Sequence, residues 1–459
     1  EKQLNINVND INEAPTDLSY DNTTDTTTID ERKPIGTVVG NLSSTDPDTG
    51  NTFTYRLVTG DGATDNSLFT IVDNQLQTNS VFNFETKNSY RIRVKTTDQG
   101  GLSFEKQLTI GVTDVPEPPT LNRPSSGNTF VLNGDSNERL EVKLTGYNSK
   151  LNSELGVFTV DDADGKIDGI APGAPGYTEK ALQRGQVIFS LLGNPPSGFN
   201  QSSLSRLLES NSGNLRFYLV KDGSTDSVLN NTTPKTNVLF DISSNVRTTT
   251  SGNGLSLAWE DGSGNPTGFE DLQVTITPTD IIPTDTVISQ VTSLQNKPQG
   301  ELLDLRGING PVTANFVVNR EAAYNNFVGF YKVNDENGGI DTDGNGTIDV
   351  RPGATGYAQA ALKARVLGLD LTVNNNGTKN VDKTLQGGSF FAPFIITNGG
   401  TPDNYDNINS RIYFTFGAAN SDGVDHVRLL GDNTFGFEDL TGGGDNDFND
   451  VIVKVNLTV

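Results

Sequence analysis

The chain has 459 residues, with 57 acidic side chains against 33 basic ones, a net charge of −24, one histidine, and neither cysteine nor methionine. That balance excludes a nucleic-acid footprint, which needs basic groups over phosphates, and it speaks against an anionic membrane surface. It also leaves no disulfide and no thiolate metal site, so any staple between small domains has to be something else, with calcium the candidate.

A hydrophobic content of 33% with 49 glycines fits many short strands joined by Gly/Asn/Asp turns. We therefore expect an all-β chain of tandem β-sandwiches, and three domains from length alone. No apolar run is long enough for a membrane-spanning helix, so no membrane insertion is expected. The missing initiator methionine makes the sequence read as a processed or excised segment.

The first element alternates apolar and polar residues over 1–8. Its Glu1-Lys2-Gln3-Leu4 recurs as Glu105-Lys106-Gln107-Leu108, and both segments run into Pro-containing linkers. Residues 1–14 thus read as the last strand and linker of a preceding repeat, and 15–118 as a whole repeat. Its length of about 100 residues suits a β-sandwich. A strand at 1–8 without its own sandwich either belongs to upstream repeats or adds to the sheet edge of another copy. The second case would build a head-to-tail filament.

The Pro-rich run from Val115 to Pro124 separates this repeat from a second kind of unit, present twice, at 119–281 and 282–459. GVFTVDDADG (156–165) matches VGFYKVNDENG (328–338), PGAPGY (172–177) matches PGATGY (352–357), and GFEDL (268–272) matches GFEDL (436–440). Copy two carries two insertions rich in Asp, Asn and Gly. Short helices are expected at 178–184, 202–209 and 358–366, where Ala and Leu recur at helical spacing.

His426 is the sole histidine. Ser-His-Asp or Cys-His catalysis would have to run through it, yet Asp425-His426-Val427-Arg428 reads as part of a strand, so a structural role is expected. The pair Glu438-Asp439 has acid–base chemistry in principle, but adjacent acids in a Gly-rich loop fit metal ligation better. We expect no enzyme.

Several short motifs of the first repeat stand in the order of one known family. Asn9-Asp10-Ile11-Asn12-Glu13-Ala14-Pro15 resembles the cadherin inter-repeat linker, and Asp30-Glu31 the family's early glutamate motif. Asp46-Pro47-Asp48 resembles its DxD pair, Phe82-Asn83-Phe84-Glu85 its LDRE without the aspartate, and Thr97-Asp98-Gln99-Gly100 its late aspartate. The resemblance implies calcium held by Asn9, Asp10, Asn12, Asp46, Asp48 and Asp98 at one end, and by Glu31, Glu85 and Asp114 at the other. The second linker departs from the pattern at Pro116, where the family has asparagine.

Asp341-Thr342-Asp343-Gly344-Asn345-Gly346-Thr347-Ile348-Asp349 follows EF-hand loop grammar. It has oxygen ligands at positions 1, 3 and 5, glycine at 6, a backbone carbonyl at 7 and Asp at 9. Pro352 stands where the bidentate glutamate belongs, so Asp335 and Glu336 are the nearest substitutes in sequence. Copy one keeps only Asp162, Asp164 and Asp168 around Lys166, whose charge weakens or removes a site. In the stretch from Gly436 to Asp450, Glu438, Asp439, Asp445, Asp447, Asn449 and Asp450 offer oxygens, while Phe437 and Phe448 are placed to plug the loop into a core. Residues 422–453 resemble a bacterial extracellular domain family of unknown function, and the resemblance implies calcium binding on large surface proteins.

The expectation is therefore an extracellular, cell-surface structural or adhesive segment holding several calcium ions. Its partners would be other repeats of the same polypeptide or other copies of itself. The alternative is a calcium-dependent module for surface polysaccharide, although its only tryptophan, Trp259, is a poor start for a sugar platform.

Overall fold

The computed structural model describes residues 11–21, 25–124, 127–134, 139–209, 213–263, 268–279, 301–403 and 411–458. The strand expected at 1–8, with Asn9 and Asp10, lies outside them. The chain divides into two compact units, Glu1–Glu117 and Pro118–Val459.

The first unit is a sandwich of two four-stranded sheets. One runs in the order Asp17–Tyr20, Val38–Thr45, Gln75–Thr78, Phe69–Val72; the other runs Thr26–Asp30, Ser103–Thr113, Ser89–Thr97, Thr54–Leu57. Strict alternation specifies which face turns inward. Along Ser89–Thr97, Tyr90, Ile92 and Val94 are buried while Arg91, Arg93 and Lys95 point outward. Phe69, Phe82 and Tyr90 cluster at the core with ring centroids 4.5 to 6.1 Å apart.

The second unit holds two lobes that repeat one plan. Each lobe faces a five-stranded sheet with a second sheet. In copy one the five strands run Ser205–Glu209, Arg139–Tyr147, Leu272–Thr279, Gly254–Trp259, Val246–Ser251. In copy two they run Gly377–Gln386, Pro311–Arg320, Val451–Thr458, Thr434–Phe437, Val427–Gly431. Registers agree as well as order: Trp259 pairs with Leu272 where Phe437 pairs with Val451, and Tyr147 pairs with Leu272 where Arg320 pairs with Val451. The matched PGAPGY and PGATGY segments both enter a helix, Tyr177–Arg184 or Tyr357–Lys363, through a left-handed glycine, Gly176 or Gly356.

The third expected helix, at 202–209, is instead a short 3-10 turn, Gln201–Ser203, followed by the strand Ser205–Glu209. Leu204, Arg206, Leu207 and Leu208 are all buried. A strand covered on both faces loses its alternation, and its apolar spacing then imitates a helix.

The cover on that strand is copy two. Leu430 and Ile452 belong to the buried core of copy one. Asp432 N donates to Ser205 O at 2.9 Å and Leu207 N donates to Asp432 Oδ2 at 2.9 Å. The two lobes are thus continuous through these contacts, while the other buried apolar residues of copy two form clusters of their own. Leu430→Ala is expected to cost about 2–5 kcal/mol and to lower a single transition shared by both lobes, read by calorimetry of the whole chain. An early transition confined to one lobe would contradict that continuity.

Candidate metal centres

In copy two, buried Phe437 ends a sheet strand and buried Phe448 returns the chain to Val451. The bend between them needs special backbone. Gly442, Gly443, Asn446 and Phe448 have φ of 80, 81, 56 and 52°, and a Cβ on Gly436 would meet Phe448 O at 2.5 Å. This tight return draws five carboxylates together. Glu438, Asp439 and Asp450 form one group and Glu438, Asp445 and Asp447 another, each with one oxygen per residue within 4.8 Å of the rest.

Backbone and amide donors aim these groups. Asp439 N donates to Asp450 Oδ2 at 2.7 Å, Leu440 N to Glu438 Oε1 at 3.2 Å, and Asn326 Nδ2 to Asp439 Oδ2 at 2.8 Å. Glu438 is only 1% exposed, and its Oε2 is buried without a hydrogen-bond partner. Asn449 Nδ2 donates to Asn194 O of copy one at 3.0 Å and to Asp447. His426 immediately precedes the strand Val427–Gly431 rather than lying within it. Its buried ring stacks on Tyr413 at 3.7 Å, with Nδ1 2.9 Å from Glu438 O and Nε2 3.0 Å from Asp422 Oδ2. It is a wedge under the loop.

The EF-hand-like segment also converges. Asp341, Asp343 and Asp349 bring carboxylate oxygens within 4.8 Å. Asp341 accepts from Gly344 N and Gly346 N, both at 2.7 Å, and Asn345 Oδ1 accepts from Thr347 N at 2.7 Å. Asp335 and Glu336 are not in this group. Asp335 accepts from Gly339 N at 2.9 Å and pairs with Arg351 at 2.9 Å, while Glu336 pairs with Arg306 at 3.0 Å. The reason is the shared plan: Asp335 sits where Asp162 sits in copy one, at the turn that Tyr357 or Tyr177 anchors through the Gly338 or Gly165 carbonyl. In copy one, cationic side chains pair with the acids of the matching turn. Lys166 is 3.5 Å from Asp162 and 3.1 Å from Asp164, and Arg184 and Lys180 are 2.7 and 3.0 Å from Asp168.

In the first unit, Asn12 Nδ2 donates to Asp98 Oδ2 at 3.0 Å, Glu13 N to Asp48 Oδ2 at 2.9 Å, and Asp48 N to Asp46 Oδ1 at 2.9 Å. Asp46 Oδ2 is buried and unpartnered. At the opposite end, Glu31 accepts from Phe84 N and Val115 N, both at 3.0 Å, and these bonds hold its carboxyl below its ordinary range. The carboxylates beside it are Glu85 and Glu117. Asp114 is exposed and outside the group. Sequence reasoning missed Glu117, whose signal was its place directly after Pro116. It also missed Arg32, which lies 2.5 Å from Glu117 and donates to Val115 O.

Crowding shows in the protonation of the copy-two loop. Burial, with the Asp450 charge beside it, lifts Glu438 from 4.5 to about 9. Burial likewise lifts Asp450 to about 7 and Asp447 to about 6, and raises Asp439. A raised folded pKa means that the folded chain keeps protons the unfolded chain has released. In chelator, stability is therefore highest below the unfolded carboxylate range and falls as pH rises from about 4.5 towards 9. The melting temperature should drop through that window, and Glu438→Gln should flatten the drop.

The cadherin-domain family model matches residues 25–113. A model described as a domain of unknown function, DUF4114, matches residues 385–458. Human cadherin-12 is 28% identical over 138 residues, which are 26% of this chain and 17% of that relative. The crystal structure of human protocadherin-24 EC1-2 form II is 27% identical with a TM-score of 0.18, covering 22% of this chain and 52% of that one. Mouse clustered PcdhgC3 EC1-3 is 21% identical with a TM-score of 0.19, covering 22% and 33%. The chain thus spans under a fifth of the curated relative and about half of the first of these structures. Among the described residues no helix is long and apolar enough to cross a membrane.

Proposed function

We propose that this chain is a calcium-stabilised structural or adhesive segment of a bacterial-type extracellular surface protein, joined to other repeats of its own polypeptide or to other copies of itself. The observation that carries the reading is Glu438 Oε2, buried without a partner between two convergent carboxylate groups. Calcium bonds oxygens at about 2.3–2.6 Å and takes six to eight of them. Oxygens sharing one ion therefore stand no more than about 5 Å apart, which suits both groups and the 341–349 loop. Magnesium prefers a smaller octahedron and keeps its waters. The cadherin match spans Asp46, Asp48, Glu85 and Asp98, and the DUF4114 match spans the whole 436–450 loop. The cadherin-domain match supports an adhesive or structural extracellular segment.

On this reading calcium does the stapling that cystines do elsewhere. It would neutralise acids that the fold has already gathered, and its removal would loosen loops before cores. Because Glu438 and Asp450 hold protons near neutral pH, calcium has to displace them. Adding calcium at pH 7 in weak buffer should release protons, and Glu438→Gln should reduce the release; calcium uptake without proton release would count against ligation by this group.

Chelation should expose residues 340–350 to protease, since three carboxylates there would repel unscreened. Residues 112–117 should respond less, because Arg32 already supplies positive charge. Cleavage at 340–350 that ignores calcium would remove that loop from the reading.

A further inference from the structure

Copy one lacks the Asp/Asn-rich insertion, and its GFEDL match at 268–272 points to Glu270 as the counterpart of Glu438. Strand register says otherwise. Trp259 occupies the place of Phe437, because Trp259 pairs with Leu272 as Phe437 pairs with Val451. The residues that follow the strand are then Glu260 and Asp261, in the places of Glu438 and Asp439. The residue before Leu272 is Asp271, in the place of Asp450. Glu270 is exposed.

The hydrogen bonds repeat one for one. Asp261 N donates to Asp271 Oδ2 at 2.8 Å, as Asp439 N does to Asp450 Oδ2 at 2.7 Å. Gly262 N donates to Glu260 Oε1 at 3.0 Å, as Leu440 N does to Glu438 Oε1 at 3.2 Å. Glu260 N donates to Asn245 O at 2.8 Å, as Glu438 N does to His426 O at 3.0 Å. Ser149 Oγ donates to Asp261 Oδ2 at 2.5 Å, where copy two uses the amide of Asn326 on Asp439. The three carboxylates Glu260, Asp261 and Asp271 are all buried, with one oxygen of each within 4.8 Å of the others.

An independent feature points to a ligand. Glu260 is 5% exposed, and its Oε2 is buried with no hydrogen-bond partner, as is Glu438 Oε2. Lys221 Nζ donates to the Asp261 backbone O at 3.1 Å, but among the described residues no lysine or arginine forms an ion pair with any of the three buried carboxylates. In this same copy, by contrast, Lys166, Lys180 and Arg184 answer the acids of the 161–168 turn.

We propose that Glu260, Asp261 and Asp271 form a divalent-cation site in copy one, taking calcium-like oxygen-preferring ions. It would hold a single ion, because copy one has no counterpart of Asp445 and Asp447. The inference rests on the reading that the equivalent group of copy two binds such a cation.

Trp259, the chain's only tryptophan, directly precedes Glu260, and this makes the site readable alone. Tb³⁺ takes calcium's oxygen ligands and emits when an indole beside it is excited. Titrating Tb³⁺ into the whole chain, with excitation at the red edge of tryptophan absorption, should give sensitised emission that excess calcium displaces. The emission should be lost in both Asp271→Asn and Glu260→Gln, with the Trp259 fluorescence spectrum of the cation-free protein unchanged. Where one variant fails to fold, the other carries the test. Total bound calcium, measured in parallel for the wild type and for Glu438→Gln, reports copy two. If Glu438→Gln lowers the calcium count but the wild type gives no tryptophan-sensitised emission, the copy-one site is overturned and the copy-two reading stands. Emission that survives both copy-one variants overturns it equally. If neither signal is found, both readings fall together.

Discussion

The constraint on which the C-terminal unit turns is the gathering of carboxylates at one end of a five-stranded sheet. Sheet register places them: in copy two, Glu438 and Asp439 leave the strand Thr434–Phe437 just where Asp450 enters its neighbour, the central strand Val451–Thr458. Their separation is set by the ladder, so they cannot drift apart to relieve repulsion. Burial then makes each charge more costly, and Glu438 is lifted to about 9. The loop's glycines, the buried Phe437 and Phe448, and the wedge of His426 on Tyr413 all act to hold this unfavourable arrangement. Such a cluster persists when something else compensates it, and a hard cation is the compensation that oxygen ligands of this kind favour.

Other acidic places in the chain find different answers. Asp241 is fully buried against Arg216 at 2.7 Å and also accepts from Phe217 N, so its charge is matched within the core. The 161–168 turn recruits Lys166, Lys180 and Arg184, and Glu117 recruits Arg32. In the exposed loop 341–349, the Gly346 and Gly344 N–H groups hold Asp341 below its ordinary range, and the Thr342 hydroxyl and N–H hold Asp349 below its own. Net charge alone therefore identifies no site. The discriminating signs are burial, convergence and an oxygen with no donor, and Glu438 and Glu260 combine all three.

Much of the architecture was legible because it rests on local rules. Alternation in the segment that begins at Glu105 marked a sandwich strand, and Ala and Leu at helical spacing marked the helices that begin at Tyr177 and Tyr357. The acidic loops were legible as composition, since Gly and Asn spacing reports how tightly a backbone turns. What sequence could not show was long-range pairing. The strand Ser205–Glu209 reads as a helix because copy two covers its outer face, a fact recorded only by residues far along the chain such as Leu430 and Asp432. Asp335 and Glu336 are near the 341–349 loop in sequence, but the turn they share with copy one points them at Arg351 and Arg306.

The same limit explains why the two GFEDL matches mislead. Identical pentapeptides at 268–272 and 436–440 invite alignment, yet one lies on the return branch into its strand and the other on the outgoing branch. In copy one the outgoing pair Glu260-Asp261 and the return-branch Asp271 meet at one point in space, because the two strands are hydrogen-bonded neighbours. A site defined by the sheet end can thus be supplied with carboxylates from different sequence positions, provided that one branch offers a Glu-Asp pair and the other a single Asp just before the strand. Copy two meets that condition with Glu438, Asp439 and Asp450, and copy one with Glu260, Asp261 and Asp271. Equivalence between the copies is carried by strand register and hydrogen bonds, and the motif that advertises it is displaced by one limb of the loop.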